Sequence, residues 1–276
     1  GISKLEVENS FINYFSKKTE IYKGMKLIDE KLGGTTPLEV ILKFPEKKED
    51  KLDEDDEFED WGDEEKNDDK YWFTKDKIET ISNIHNYLDS LPEIGKVLSF
   101  SSIVDVATQL NNNKPLGTLE MGVLYTKIPE NIKTEIIDPY ISIKDNEARI
   151  SLRIIDSQKD LKRNELIKKI NRDLQNEFGL SEDQYKLAGV MILFNNLLQS
   201  LFKSQILTLG LVMLGIFGMF VILFKNIKLS LIGVVPNFIA AFFILGIIGM
   251  LEIPLDMMTI TIAAITIGIA VDNSIH

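Results

Sequence analysis

Several residue types that build functional sites are scarce or missing in this sequence. The 276 residues include no cysteine and two histidines, so disulfide bonds and cysteine-based metal or redox sites are excluded. The sequence also lacks a glycine-rich phosphate-binding loop and a recognisable pairing of a nucleophile with a base. We therefore expect no enzymatic activity, no cofactor and no metal site.

Basic residues are in the minority, and the acidic excess is concentrated in one segment. The net charge is −11, and residues 46–70 alone hold 15 acidic and 5 basic side chains. An acidic chain with dispersed basic residues is unlike a nucleic-acid-binding protein. A block of like charges repels itself and buries little surface, so residues 46–70 are predicted to form a solvated insertion. A cation site or a site for a basic partner is the open alternative, although Phe58 stands where a calcium loop starting at Asp53 needs glycine.

Long apolar runs fill the C-terminal quarter of the sequence. Residues 206–224 and 229–251 contain no charged side chain, and each run is long enough to cross about 30 Å of hydrocarbon. A third run, 257–271, reaches that length when residues 272–276 are included. These runs predict three transmembrane helices, of which the last is truncated: about 200–224, 229–251 and 256–276.

The loops between the apolar runs predict the orientation of the chain. Lys225 and Lys228 lie between the first two runs, whereas Glu252 and Asp256 lie between the second and the third. By the positive-inside rule the lysines are cytoplasmic, which places residues 1 to about 200 in the periplasm of a bacterium, outside its inner membrane. The first residues lack a basic flank followed by an apolar core, and we expect the chain to be a fragment of a longer multi-pass protein.

Between residues 37 and 194, strand and helix patterns alternate. Apolar runs predict four strands, at 37–44, 95–104, 148–156 and 184–194. A periodicity of 3.6 predicts a helix at 73–91 with Thr74 as its cap, and a helix at 161–180 that ends at Gly179. The order of these elements is that of the split βαβ, ferredoxin-like arrangement.

The predicted organisation has three parts. Residues 1–36 form an N-terminal helical linker, residues 37–194 form an α+β extracytoplasmic domain, and residues 195–276 form a fragment of an α-helical transmembrane bundle. The acidic insertion 46–70 falls between the first strand and the first helix of the domain. A helical insertion, 105–140, falls between the second and third strands, where loops tolerate additions that a sheet would not.

Five stretches of sequence, together with the order of the predicted elements, resemble a known family. The stretches are LGGTTPLEVIL (32–42), YWFT (71–74), NEARISLRIIDS (146–157), NNLLQSLFKSQILTLG (195–210) and IPLDMMTITIAAITIGIAVDNSIH (253–276). They resemble the RND superfamily of transporters, and within it the exporters of hydrophobes, hopanoids and mycobacterial lipids. The resemblance implies a proton-driven exporter of hydrophobic or amphiphilic molecules or lipids, built from two related halves. Its implied partners are the lipid bilayer, protons, the substrate and the remaining helices of the full-length protein, with a homo-oligomer left open.

Asp272 is the candidate site residue. An ionised carboxylate inside a membrane is unfavourable unless it is paired, hydrated or protonated, and such residues mark proton or ion paths. Gly268 precedes it by one turn and lets a neighbouring helix approach, and His276 follows four residues later on the same face. The resemblance implies that Asp272 is the proton relay and that Asn273 forms a hydrogen bond beside it. The open alternative is that the third helix is short and that Asp272 lies at its cytoplasmic boundary.

Other residues carry secondary hypotheses. Pro236 and Asn237 interrupt the hydrogen-bond ladder of the second membrane helix and predict a kink. Residues 195–205 contain no helix breaker, so we expect them to join the domain stiffly to the first membrane helix. His85 is expected at the surface of its helix. Two other functions remain open: a sterol-sensing-like sensor or lipid-binding scaffold without transport, and an accessory of protein translocation.

Overall fold

The computed structural model describes residues 12, 15–45, 72–158, 161–250, 261 and 265. The chain forms two compact units. The described residues of Ile12–Leu161 and Leu166–Met191 form an α+β unit. Lys162–Glu165 and the described residues from Ile192 onward belong to a second, helical unit. The acidic insertion 46–70 lies outside the described residues.

Helices and strands alternate along the α+β unit and give way to two long helices. In chain order the elements are α1 Glu20–Lys31, β1 Thr36–Lys43, α2 Lys75–Asp89, β2 Ile94–Leu98, α3 Phe100–Leu110, α4 Thr118–Lys127, α5 Glu130–Ile132, β3 Ile141–Ser142, β4 Glu147–Ile154, α6 Arg163–Asn176, β5 Tyr185–Ala188, α7 Val190–Phe224 and α8 Ile227–Met250. A π-helical turn, Lys133–Ile137, follows α5 directly.

The strands form one antiparallel sheet in the order β2-β4-β1-β5, with β3 paired to the start of β4. β1 and β4 pair along their whole length, from Thr36 opposite Ile154 to Lys43 opposite Glu147. Side chains alternate between the two faces of a strand, and one face of this pair is almost completely buried. The buried side chains are Thr36, Leu38, Val40 and Leu42 of β1 and Ala148, Ile150, Leu152 and Ile154 of β4. The core of the α+β unit therefore lies on one face of the β1–β4 pair.

Helices α2 and α6 bury the apolar stripes that their periodicity predicts. The buried residues include Ile81, Ile84 and Leu88 of α2 and Leu166, Ile170 and Leu174 of α6. The Tyr87 hydroxyl of α2 donates a hydrogen bond to Asp173 Oδ2 of α6 at 2.6 Å. Burial, followed by this bond to Asp173, raises the pKa of Tyr87, so the hydroxyl keeps its proton and remains a donor between the two helices.

Two predicted strands are shorter than the sequence suggests. β2 ends at Leu98 because Ser99 caps α3, its hydroxyl oxygen accepting from the backbone N–H of Ser101 at 3.1 Å. β5 ends at Ala188 because Gly189, with a φ of +102°, turns the chain into α7. The predictions of strands at 95–104 and 184–194 are therefore wrong for their second halves, which are helical. A short apolar run does not by itself distinguish a strand from a buried helix.

Asp29, near the end of α1, joins that helix to the ends of β1 and β4. Its side chain is 0% exposed. The Thr35 hydroxyl donates to Asp29 Oδ1 at 2.7 Å, and the backbone N–H groups of Asp156 and Ser157 donate to Oδ1 and Oδ2 at 2.9 and 2.7 Å. Burial acts to raise the pKa of Asp29, but the hydrogen bonds outweigh it and hold the pKa below its ordinary value. Asp29 is therefore an anion that accepts hydrogen bonds from the side chains of Thr35 and Ser157 and from the backbone N–H groups of Asp156 and Ser157.

Asn146, just before β4, links Phe44, which follows β1, to Trp72, which precedes α2. Its Nδ2 donates to the carbonyl oxygen of Phe44 at 2.9 Å, and Trp72 Nε1 donates to its Oδ1 at 2.9 Å. The Phe44 and Trp72 rings meet edge to face with their centroids 5.8 Å apart. Lys77 Nζ also donates to Asn146 Oδ1, at 2.7 Å, and lies 4.5 Å from the Trp72 ring centroid. Asn146 therefore holds the described residues on either side of positions 46–71 next to each other.

Replacing Asp29 with Asn should destabilise the α+β unit, because the amide keeps the shape of the side chain but loses the charge and turns a donor toward other donors. We expect a loss of roughly 2 to 3 kcal/mol in the free energy of unfolding at pH 7, measured by denaturant titration of the purified full chain. Because folding lowers the pKa of Asp29, its stabilisation is present above the ordinary value of 3.8 and is lost as the pH falls through the folded-state pKa. The variant should therefore lose less stability than the wild type on acidification.

Glu30→Gln provides the matched control on the same helix. Its side chain is 47% exposed and pairs with Lys26 at 3.6 Å, so its loss should change stability by no more than about 0.5 kcal/mol. Equal destabilisation by the two variants, or an unchanged acid dependence in Asp29→Asn, would contradict the assigned role of Asp29.

Candidate functional site

The predicted proton-relay residues lie outside the described residues: Asp272 and its neighbours Gly268, Asn273 and His276. Their roles remain predictions. In the part of the chain that the structure describes, no group of three or more His, Asp or Glu side chains is arranged to hold a metal ion. The features available for function are the two long helices, an apolar pocket and a buried histidine.

Among the residues that the structure describes, one helix is long and apolar enough to cross a membrane, and this helix is α7. Its 35 residues correspond to about 50 Å at 1.5 Å per residue. Lys203 is its only charged residue. The predicted connection 195–205 lies inside this uninterrupted helix. By length and composition, α7 supports a transmembrane helix at the position of the first apolar run.

The two lysines on which the predicted orientation depends lie at the junction of α7 and α8, Lys225 in the connecting turn and Lys228 in the first turn of α8. Lys225 adopts a φ of +49°, and Asn226 caps α8 by accepting a hydrogen bond from the Lys228 N–H at 3.0 Å. The Ser230 hydroxyl donates to the Asn226 carbonyl oxygen at 2.9 Å. Both lysines are exposed. A short, positively charged turn therefore separates two apolar helices.

Helices α7 and α8 pack against each other through a small apolar cluster. Its buried members are Met213, Ile216 and Phe220 of α7 and Val234 of α8. Gly233 allows the close approach, since a Cβ at this position would lie 3.2 Å from Cε2 of Phe220. Many other apolar side chains of the two helices are exposed, among them Leu207, Leu211, Leu214, Ile222, Leu231 and Ile232. Exposed apolar surface on this scale is typical of contact with lipid or with other protein segments.

Pro236 and Asn237, the predicted kink residues, lie within α8. Proline has no N–H and cannot donate to the carbonyl oxygen of Ile232, four residues earlier, yet α8 continues past Pro236 to Met250. A kink at Pro236 stays a prediction.

An apolar pocket lies in the α+β unit among α3, α4 and the π-helical turn. One side is formed by residues of α3: Phe100, Ile103, Val104 and Ala107. The remainder is formed by Met121 and Tyr125 of α4 together with Phe73, Ile128 and Ile137. The cavity volume is about 20 Å³, close to the space of one water molecule, and an apolar cavity of this kind stays dry.

Aromatic rings and one lysine define the chemistry at the pocket. The Phe73 ring centroid lies 5.3 Å from that of Phe100 and 5.0 Å from that of Tyr125. Lys133, in the π-helical turn, places Nζ 4.5 Å from the Tyr125 ring centroid and 3.4 Å from Glu130 Oε2. The Lys133 side chain is 12% exposed, whereas that of Glu130 is 82% exposed. The Lys133 ammonium group therefore lies beside the pocket-lining ring of Tyr125, and its partner Glu130 is largely exposed to water.

His85 is buried, so the prediction of a surface position is wrong. Its side chain lies at the contact of α2 with α3, where Nδ1 is 2.9 Å from Oγ of Ser99. Burial lowers the pKa of His85, while Asp89 and Asp105 act in the opposite direction. The imidazole links α2 to the cap of α3. The sequence signal that reveals this contact is the capping motif at Ser99, which starts a helix directly after β2.

The chain has distant similarity to an archaeal membrane protein. No protein-family model matches it. Over 196 residues it is 26% identical to a protein of Methanocaldococcus jannaschii that bears the name "Putative membrane protein MJ1562". The match covers 68% of this chain and 48% of that protein, so the chain spans about half the length of the curated relative it matches. The similarity and the long apolar helix α7 both support a membrane protein.

Gly233→Leu should weaken the packing of α7 against α8, because any side chain at this position enters the space of the Phe220 ring. We expect a loss of about 1 to 3 kcal/mol, measured as a lower midpoint in thermal unfolding of the detergent-solubilised full chain. Gly246→Leu is the control on the same helix, since among the described residues no atom lies within 4 Å of a Cβ there. Equal destabilisation by both substitutions would contradict the proposed contact.

Proposed function

We propose that this chain is part of a proton-driven secondary exporter of the RND superfamily, with a hydrophobic or amphiphilic substrate and with Asp272 as the proton carrier. One observation carries the proposal: an α+β unit leads directly into a long apolar helix. β5 ends at Ala188 and α7 begins at Val190. The RND resemblance implies the same succession, an extracytoplasmic domain followed by the second helix of its half of the transporter.

The sheet supports a ferredoxin-like assignment for the α+β unit. The four longer strands are ordered β2-β4-β1-β5, and all neighbours are antiparallel. α2 lies between β1 and β2 in the chain, and α6 lies between β4 and β5. Two βαβ segments therefore interleave in one sheet, which is the split βαβ pattern. In this assignment residues 46–70 and the helices α3 to α5 are insertions into its connections.

The charge of the α7–α8 turn supports an extracytoplasmic position for the α+β unit. Lys225 and Lys228 lie on the cytoplasmic side under the positive-inside rule. With α7 crossing the membrane, the residues that precede it lie on the opposite side. In a bacterium this side of the inner membrane is the periplasm, and in an archaeon it is the cell exterior.

Protonation of Asp272 supplies the coupling in this proposal. An ionised carboxylate in an apolar segment is unfavourable, and a proton taken up from outside removes its charge. Release of that proton to the cytoplasm restores the charge, so each cycle changes how the helix packs against its neighbours. Gly268 permits close packing there, and the remaining helices of the full-length protein complete the site. Residues 195–205, within α7, carry the movement to the substrate-handling unit.

Asp272→Asn in the full-length protein should abolish proton-driven export, because an amide does not take up and release a proton. The measurement uses proteoliposomes with an imposed pH gradient and follows transport of the hydrophobic dye N-phenyl-1-naphthylamine by its fluorescence. We expect the rate to fall to that of protein-free vesicles, while protein yield and thermal stability are unchanged. Asp272→Glu, which keeps a titratable group, should retain part of the activity.

Asp256→Asn is the control, because Asp256 precedes the third apolar run and is predicted at the membrane boundary. It should transport at the wild-type rate. Transport that survives Asp272→Asn would refute the relay. Binding of the dye without gradient-driven transport in the wild type would favour the sensor or lipid-binding scaffold instead.

A further inference from the structure

The apolar pocket among α3, α4 and the π-helical turn has no role in the proton relay. We propose that it binds the hydrocarbon chain of a single-chain anionic amphiphile, with the anionic head beside Lys133. The inference rests on the proposed function in one respect: it takes this amphiphile as an example of the molecules that are exported. The binding itself needs neither a proton gradient nor Asp272.

The pocket lining selects hydrocarbon. Apart from the Tyr125 hydroxyl and the Met121 thioether, the lining side chains are hydrocarbon. A polar ligand group placed among them would lose its hydrogen bonds to water without replacement. An alkyl chain forms no hydrogen bonds with water that it could lose, and its transfer from water into the pocket is favourable.

The dimensions of the pocket favour a flexible chain over a rigid ring system. The unfilled volume of about 20 Å³ accommodates little more than one methylene-sized group, so a bound chain must displace side chains. Met121 is suited to this, because an unbranched thioether side chain repacks readily. α4, which carries Met121 and Tyr125, is joined to α3 by the loop 111–117. Asn112 and Asn113 in this loop have positive φ angles of 56° and 59°, so the link is an irregular loop and not a continuation of either helix.

Apolar side chains continue along α3 from the pocket lining to an exposed residue at the end of the helix. Ile103, Ala107 and Leu110 follow one another at helical spacing and share one side of the helix. Ile103 and Ala107 line the pocket, whereas Leu110 is 83% exposed. A chain that inserts between α3 and α4 can therefore keep contact with apolar side chains from solvent to the interior.

Lys133 gives the site its preference for an anionic head group. Its Nζ lies over the ring of the lining residue Tyr125 and pairs with Glu130, whose side chain is 82% exposed. Ion pairs with a water-exposed partner are weak, so a ligand carboxylate can take the place of Glu130. The new contact is a charge-assisted hydrogen bond. A cationic head group would meet Lys133 as a like charge.

Quenching of Trp72 fluorescence tests the site. Trp72 is 6% exposed, and its ring centroid lies 5.4 Å from that of the lining residue Phe73. The chain has two tryptophans, so Trp61→Phe leaves Trp72 as the reporter. The full chain in lipid nanodiscs is titrated with 11-bromoundecanoate. We expect saturable quenching that decanoate and dodecanoate reverse and dodecyltrimethylammonium does not. Each added methylene should tighten competition about fourfold until the pocket is filled.

Two adjacent positions on α3 give matched variants for this titration. Ala107→Leu fills the pocket and should weaken binding by about tenfold or more. Val106→Leu creates the same side chain at a position that is 56% exposed, and affinity should stay within about twofold of the wild type. Lys133→Met should weaken carboxylate binding about tenfold and leave competition by dodecanol unchanged.

Quenching that is intact in Ala107→Leu, or equal competition by the cationic amphiphile, would overturn the proposal. If Ala107→Leu does not fold, the wild-type protein decides the matter through photolabelling with a diazirine-tagged dodecanoate and mass spectrometry. Label within residues 100–137 supports the pocket, and label confined to α7 and α8 overturns it. Asp272→Asn should bind the probe like the wild type. If a variant loses binding but still exports, the pocket alone is refuted. If Asp272→Asn still exports and still binds the probe, the proposed function alone is refuted.

Discussion

The antiparallel pairing of β1 with β4 is the contact on which the other elements of the α+β unit depend. The two strands pair along their full length and bury alternate side chains on one face. β2 attaches to β4 and β5 attaches to β1. At one end of the pair Asp29 accepts hydrogen bonds from Thr35 and from the residues after β4, and at the other end Asn146 bonds to Phe44. Both ends of the pair are thus fixed by side chains from outside the sheet.

This fixed pair leaves the connections free to vary. Asn146 holds Phe44 beside Trp72, so the described residues on either side of positions 46–71 are fixed at the same end of the pair. The helices α3 to α5 occupy the connection from β2 to β3, and the apolar pocket lies within them. Binding properties can therefore change in these insertions without a change in the core. The second unit differs in its apolar surface. Its helices α7 and α8 bury a small cluster and expose most of the apolar side chains that the structure describes.

Local patterns in the sequence predicted the elements well, and long-range contacts escaped prediction. The strand at 37–44 and the helix at 73–91 correspond to β1, Thr36–Lys43, and to α2, Lys75–Asp89, with Thr74 at the N-cap. The hydrogen bonds of Asp29 and Asn146 join residues up to 128 and 102 positions apart, and no local pattern encodes them. His85 was misassigned because its partner Ser99 caps the next helix, α3, and that cap was taken as part of a strand. The relay hypothesis rests on the sequence alone, since Asp272 lies outside the described residues.

Proton-driven export requires that Asp272 gains and loses a proton within the membrane. Modification by N,N′-dicyclohexylcarbodiimide measures this directly, because this apolar reagent reacts with protonated carboxyl groups in apolar surroundings. The full-length protein in its native membrane is treated over a range of pH, and labelling of each carboxyl group is quantified by mass spectrometry. We expect strong labelling of Asp272 that declines as the pH rises, with Glu252 and Asp256 labelled weakly throughout. Labelling of Asp272 that is absent, or that does not change with pH, would contradict a proton relay at this residue.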